Sequence, residues 1–293
     1  MKTHKCIFLL ILILATACRN NTNTIRIATK PMTEQFILGE MLALLIEENT
    51  DLTVKMTKGI GGGTSNIHPA IVKGDFDLYP EYTGTGWLVV LKKDSLPPTE
   101  ELYGALQREY QQKYHLKWLS PYGFNNTYSL AINEEKARKY GLEKFSDLAR
   151  FPDEFTFGAE YDFFEIHAGY DALCKCYKLK FKDTRDMDIG LKYEAIKSGK
   201  IDIMNIFTTD GQLNGAPLTV LKDDKHFFPS YYCCTIAREA VLQEHPELEK
   251  VLEKMKGILT DKEMSELNYQ VDIAGLPERE VAADYLKKKG LIR

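Results

Sequence analysis

The feature that most limits the fold of this chain is the repeated switch of hydrophobic period over its first third. TIRIAT (24–29) alternates and is β-branched, which predicts a strand. Thr33 stands where it can cap a helix, and the residues after it, 34–49, are apolar on most faces, which predicts a largely buried helix. LTVKMTKG (52–59) predicts a second strand, which runs into the flexible IGGGTS. NIHPAIVKG (66–74) predicts a second helix, and DFDLY (75–79) a third strand that stops before Pro80. This β-α-β-α-β order argues for an open, parallel α/β sheet. A long helix over 98–114 follows, and NTYSLAIN (126–133) then opens a second series. That series has strands over 154–160 and 201–207, helices over 163–177 and 190–200, and further strands over 218–225 and 233–239. The tail is helical over 246–257, 260–275 and 277–290, each segment stopping at or near glycine. With 293 residues there is enough chain for two such lobes.

Open α/β sheets bind ligands beyond the carboxyl ends of their strands. Four strands here end in unusual loops, TKPMTEQ, GIGGGTS, PEYTGTG and FTTDG, and all four can face one cleft. Nucleophile chemistry finds no support. IGGGTS lacks a P-loop lysine, no G-x-S-x-G elbow occurs, and no pair among six histidines has zinc-ligand spacing. The expectation is therefore a protein that is not an enzyme and carries no metal or cofactor. A formal net charge of −4 without a long basic patch argues against a nucleic-acid partner.

Tyrosine is the informative residue, with 16 in the chain. Tyr82, Tyr128 and Tyr231 sit at strand ends beside turn residues, with Phe207 in a matching place. Several ring faces around one point bind a cation that has no hydrogen to donate. The plainer alternative is that these are core aromatics with a wet hydroxyl.

The first 17 residues read as a signal peptide: the basic MKTHK, then the apolar CIFLLILILATA, too short for a membrane span. Ala15-Thr16-Ala17-Cys18 resembles a lipobox, so Cys18 is expected to carry lipid and residues 18–24 to form a tether. Ordinary secretion with cleavage after Ala17 is the alternative. Of six cysteines, Cys6 leaves with the signal peptide, and Cys174, Cys176, Cys233 and Cys234 remain. Disulfides, a metal site and buried free thiols are all open to these four, with free thiols the preferred reading.

The run ATKPMTEQFILGEMLALLIEE, then GGGTSNIHPAIVKGDFDLYPEYTGTGW, resembles the glycine betaine/choline/carnitine-binding proteins of ABC importers. FNNTYSLAI, FTTDGQL, LKDDKHFFPSYY and PEREVAADYLKKKGL extend the resemblance to the end of the chain. It implies a type II periplasmic-binding-protein fold of two α/β lobes with a ligand cleft between them. Lobe 1 would comprise 25–126 and 232–293, and lobe 2 would comprise 127–231. It implies an aromatic cage of Tyr82, Tyr128, Phe207 and Tyr231 for a trimethylammonium group, lined also by Asn126. Lys30 and Thr85 match polar positions for the ligand's other end, and Gln35 matches a cleft glutamine. The implied partners are a quaternary amine, an ABC permease and, through the lipid, a bacterial membrane, with the protein exported and monomeric. Import is the main reading; ligand sensing by the same fold and capture of another amine or an ergothioneine-like solute are the alternatives.

The family pattern is broken in two places. Phe207 stands where tyrosine is usual and keeps the ring face without the hydroxyl. Ile166 and Ala168 align with an arginine and an aspartate, although a shift of one puts His167 at the arginine. A guanidinium there would grip a carboxylate bidentately. Its absence favours choline, another zwitterion with a different tail, or a bulkier trimethylammonium compound over glycine betaine; a benign local change is the alternative.

Overall fold

The computed structural model describes residues 23–165 and 169–293. The expected signal peptide, Cys18 with most of its expected tether, and the departure at Ile166, His167 and Ala168 lie outside the described residues. None of the described helices is long and apolar enough to cross a membrane.

Ten described strands form two five-stranded sheets. The first holds β1 (Thr24–Ala28), β2 (Thr53–Thr57), β3 (Leu78–Tyr82), β4 (Leu116–Trp118) and β10 (Cys233–Arg238), in the order β2-β1-β3-β10-β4. The second holds β5 (Tyr128–Asn133), β6 (Thr156–Ala159), β7 (Asp183–Asp186), β8 (Ile203–Phe207) and β9 (Leu218–Leu221), in the order β7-β6-β8-β5-β9. Both are mixed rather than parallel. In the first sheet β10 runs antiparallel to β3 and β4; in the second, β5 runs antiparallel to β8 and β9. The parallel expectation fails because the chain leaves the first sheet after β4 and returns from the second as β10. A strand entering that way needs no crossover helix, so no handedness rule forces it parallel.

The chain crosses between the sheets twice, over 119–127 and 222–232. The crossings are tied together by an Asn125↔Tyr232 bridge and by Asn126 N–H donating to Tyr231 O at 3.2 Å. Thr127 Oγ1 adds a bond to Pro229 O at 2.7 Å.

Helix α1 (Thr33–Asn49) is the spine of the first unit, with twelve residues from Glu34 to Ile46 buried. Thr33 is its first residue rather than its cap: Met32 occupies the cap, and Thr33 Oγ1 donates to Asp272 Oδ1 at 2.6 Å. On α1 pack α5 (Asp261–Asp272) and α6 (Glu278–Lys288) from the tail. Helices α2 (Thr64–Lys73) and α3 (Thr99–Tyr114) belong to the same unit, and α4 (Ile189–Lys197) packs on the second sheet. The segment expected as one helix over 246–257 is broken into Pro246–Leu252 and a 3₁₀ turn, Glu253–Met255. Each sheet has its own apolar cores, with Ile25, Leu38 and Leu78 in one and Leu130, Phe157 and Ile203 in the other.

The third strand differs most from expectation. It spans Leu78–Tyr82, so Pro80 lies inside it and opposite Thr235 of β10. β1 pairs with β3 only through Ile27↔Leu78, and Pro80 lies beyond that last pair, where a missing donor breaks no ladder.

Candidate functional site

Where β1 and β3 separate, a buried polar cluster fills the gap. Lys30, just past β1, pairs with Glu81 of β3, and both are almost fully buried. Glu81 also accepts from Thr64 Oγ1 and from Tyr82 N–H, each at 2.7 Å. The Lys30 ammonium lies 4.7 Å from the centroid of the Tyr82 ring. Tyr82 thus has a resident cation on its ring, and that cation is neutralised by Glu81.

The Tyr82 hydroxyl donates to Glu34 Oε1 at 2.5 Å. Asn126 Nδ2 reaches the same oxygen at 3.0 Å, and Asn268 Nδ2 of α5 approaches the other at 3.4 Å. Burial raises the Glu34 carboxyl above its ordinary value, against the lowering effect of these donors. Burial, and secondarily the charge of Glu34, pushes the Tyr82 hydroxyl well up as well, so it remains a donor.

Opposite Tyr82 stand aromatics from the second sheet. Tyr128 opens β5 and Phe207 closes β8, and they are register partners. Their rings stack with centroids 4.4 Å apart and planes at 28°. Phe207 is held by a turn in which Asp210 Oδ2 accepts from its backbone N–H at 3.1 Å and from Tyr193 Oη at 3.0 Å. Tyr231 enters from the returning crossing, its N–H bonded to Asn125 Oδ1 at 2.6 Å. Its ring lies on Gly84, where a Cβ would come within 2.5 Å of a ring carbon. Gly86 makes room for Trp118 in the same way. These two glycines serve close packing, not a left-handed turn, and neither has positive φ.

Tyr82, Tyr128, Phe207, Tyr231 and Asn126 line one cavity of about 300 Å³, with Met32, Thr127, Phe228 and Pro229. No side chain in that lining is charged. A second chamber of about 350 Å³ shares Met32, Asn126 and Phe207, and adds Glu34, Thr209, Asp210, Asn268 and Asp272. It holds three carboxylates and no basic side chain. The amide oxygens of Asn126 and Asn268 are buried there without a hydrogen-bond partner among the described residues.

The remaining expected residues fall elsewhere. Lys30 is committed to Glu81 behind Tyr82. Gln35 is fully buried in α1, and its side chain interacts with Tyr82 without lining either chamber. Thr85 is half-buried in the turn after β3 and lines neither chamber. Glu34, Met32, Phe228 and Asp210 were not foreseen. The one hint of Glu34 was an acidic residue opening an otherwise apolar helix. The four described cysteines are free: Cys233 and Cys234 are buried in β10, Cys174 and Cys176 half-buried in helix Tyr170–Tyr177. No described group of His, Cys, Asp and Glu has the arrangement of a metal site.

Residues 23–288 match the family model described as the substrate binding domain of the ABC-type glycine betaine transport system. The ergothioneine transport permease/ergothioneine binding protein of Helicobacter pylori (strain G27) is 46% identical over 90% of this chain, which spans only 47% of that relative's length. The carnitine transport binding protein of Listeria monocytogenes serotype 1/2a (strain 10403S) is 34% identical over 92% of this chain and 88% of its own. Among solved structures, a glycine betaine/carnitine/choline ABC transporter protein superposes with a TM-score of 0.87 at 32% identity, covering 91% of this chain and 99% of its own.

Proposed function

The chain belongs to the family of substrate-binding domains of ABC-type glycine betaine transport systems, and from that premise we propose that it captures a quaternary ammonium solute in the chamber walled by Tyr82, Tyr128, Phe207 and Tyr231. The observation that carries this reading is the convergence of four aromatic side chains, drawn from both sheets, on one uncharged cavity beside a carboxylate-lined one. Each well-placed ring contributes on the order of 0.5–2 kcal/mol to a desolvated cation. Micromolar affinity, about −8 kcal/mol, therefore needs the polar chamber as well. Asn126 lies where the two chambers meet.

The two crossings act as the hinge. Lobe 1 (25–126 and 232–293) and lobe 2 (127–231) close on the ligand, and the closed form, a monomer, docks on a membrane permease. No bond of the ligand is made or broken. Closure follows only as far as the ligand prefers the closed form. Cys18 carries lipid and holds the exported protein at the membrane; Cys18→Ala would then release it into the medium or periplasm, and a variant that stays membrane-bound would end that part of the reading.

Calorimetry against choline, glycine betaine, carnitine, proline betaine and ergothioneine tests the ligand class. At least one should bind at micromolar level, and failure of all five to bind more tightly than about millimolar would remove the reading. A second reading, an ergothioneine-like ligand, is favoured by the acceptor-rich second chamber. Its carboxylates and unpartnered amide oxygens suit a tail that donates hydrogen bonds better than a bare carboxylate. The named ligand of the H. pylori relative agrees with it. Ergothioneine binding at least about tenfold tighter than glycine betaine would decide for it.

A further inference from the structure

Glu34 is only 4% exposed, yet no ion pair among the described residues includes it. The nearby cation, Lys30, is held by Glu81. Neutral donors converge on Glu34 instead, among them Tyr82 Oη, Asn126 Nδ2 and Asn268 Nδ2, with the Thr209 side chain beside them. The first three come from β3, from the first crossing and from α5. A buried carboxylate without a counter-ion is a costly arrangement unless something else supplies the charge. Two of these donors, Tyr82 and Asn126, also line the aromatic chamber.

We propose that Glu34 is the counter-ion of the bound ligand, acting through the Tyr82 hydroxyl, and that it makes the chamber select a permanent cation over a neutral molecule of the same shape. A phenol that donates to a carboxylate has a more electron-rich ring, so the face of Tyr82 attracts a cation more strongly. The field of Glu34 adds directly to that attraction, since Glu34 and Tyr82 are both buried. Glu34 need not touch the ligand; it is a specificity-determining residue acting through Tyr82 and Asn126. This inference rests on the quaternary-ammonium reading.

The test compares choline with its neutral isostere 3,3-dimethylbutan-1-ol, in wild type and in Glu34→Gln. Wild type should prefer choline by more than about tenfold. Glu34→Gln should weaken choline about tenfold while leaving the alcohol within about twofold. A loss shared equally by both ligands would mean that Glu34 only props up the walls, and would overturn the proposal. So would unchanged choline affinity. Wild type that binds neither choline nor any other of the five solutes would instead remove the functional reading on which the proposal rests.

Choline affinity against pH provides a second readout should Glu34→Gln pack poorly. Groups facing Glu34 are Tyr82 on β3, Cys233 on β10, Asp210 after β8, Asp272 on α5, and the Lys30–Glu81 pair behind Tyr82. Lowering the pH through the raised Glu34 value protonates and neutralises it, so wild-type affinity should fall on the acid side, and that fall should vanish in Glu34→Gln. Tyr82→Phe, which keeps the ring but removes a donor that lowers the Glu34 carboxyl, should move the same acid limb to higher pH. An acid limb that persists unchanged in both variants belongs to another group and overturns the proposal.

Discussion

Lys30 shows how a side chain can matter to a site without lining it. Its ammonium is spent on Glu81, and Glu81 is completely buried. Removing the lysine leaves that carboxylate unpaired, so Lys30→Ala should destabilise the protein by about 3–5 kcal/mol, read by denaturant unfolding. A loss below about 1 kcal/mol would place Glu81 in contact with water. The cage residues should behave differently. Tyr82→Ala and Tyr231→Ala should each cost more than about 1 kcal/mol in binding of a quaternary cation. Phe207→Tyr should cost little, since the ring already stacks on Tyr128; calorimetry on the three variants separates wall from hydroxyl. The places of the aromatic residues at strand ends were legible, but they suited core aromatics with a wet hydroxyl equally well, and a shared cage was implied only by the resemblance. Glu34 and Asp210 were not legible, because a carboxylate in sequence gives no sign of whether it will be buried or what will donate to it.

At the level of elements, β3 and the turn after it were the hardest to read. Proline normally ends a strand, and here it does not, because the neighbouring ladder with β1 has already stopped. The glycines of TGTG have ordinary φ values, and their missing Cβ atoms admit Tyr231 and Trp118. Such reasons lie in other segments more than 30 residues away, beyond any local pattern. The consequence is measurable. Gly84 lies in a helical turn, where alanine is favoured over glycine by about 1 kcal/mol. Gly84→Ala should therefore leave thermal stability nearly unchanged while weakening ligand binding, because the new Cβ displaces the Tyr231 ring. Binding as tight as wild type would show that the ring can yield without cost.

For the whole molecule, the two α/β units followed from the order of periods, and the mixed sheets did not, since strand direction depends on where the chain crosses. The units also touch away from the crossings. Ser265 Oγ donates to Asp210 O at 2.7 Å, Asn268 Nδ2 to Thr209 O at 2.9 Å and Asn214 Nδ2 to Ser265 Oγ at 2.9 Å. Gly211 lies against the backbone of α5, where a Cβ would come 2.8 Å from Tyr269 N. Backbone cannot step aside as a side chain can, so Gly211→Ala should hold these surfaces apart. Small-angle scattering should then show ligand-induced contraction in wild type and a reduced contraction in Gly211→Ala, with weaker binding; equal contraction in both would mean that closure does not use this contact.

The uncharged lining of the aromatic chamber has a consequence for its chemical vocabulary. Ring faces register diffuse positive charge and girth, and have no means of naming the atom at the centre of the cation. On the proposed reading, sulfonium and phosphonium isosteres of the natural solute should be admitted nearly as well as the ammonium, and competition calorimetry with a dimethylsulfonium analogue reads this directly. A cell carrying such a receptor would scavenge methylated sulfur along with methylated nitrogen, and any discrimination between them would have to arise later, at the permease or in metabolism.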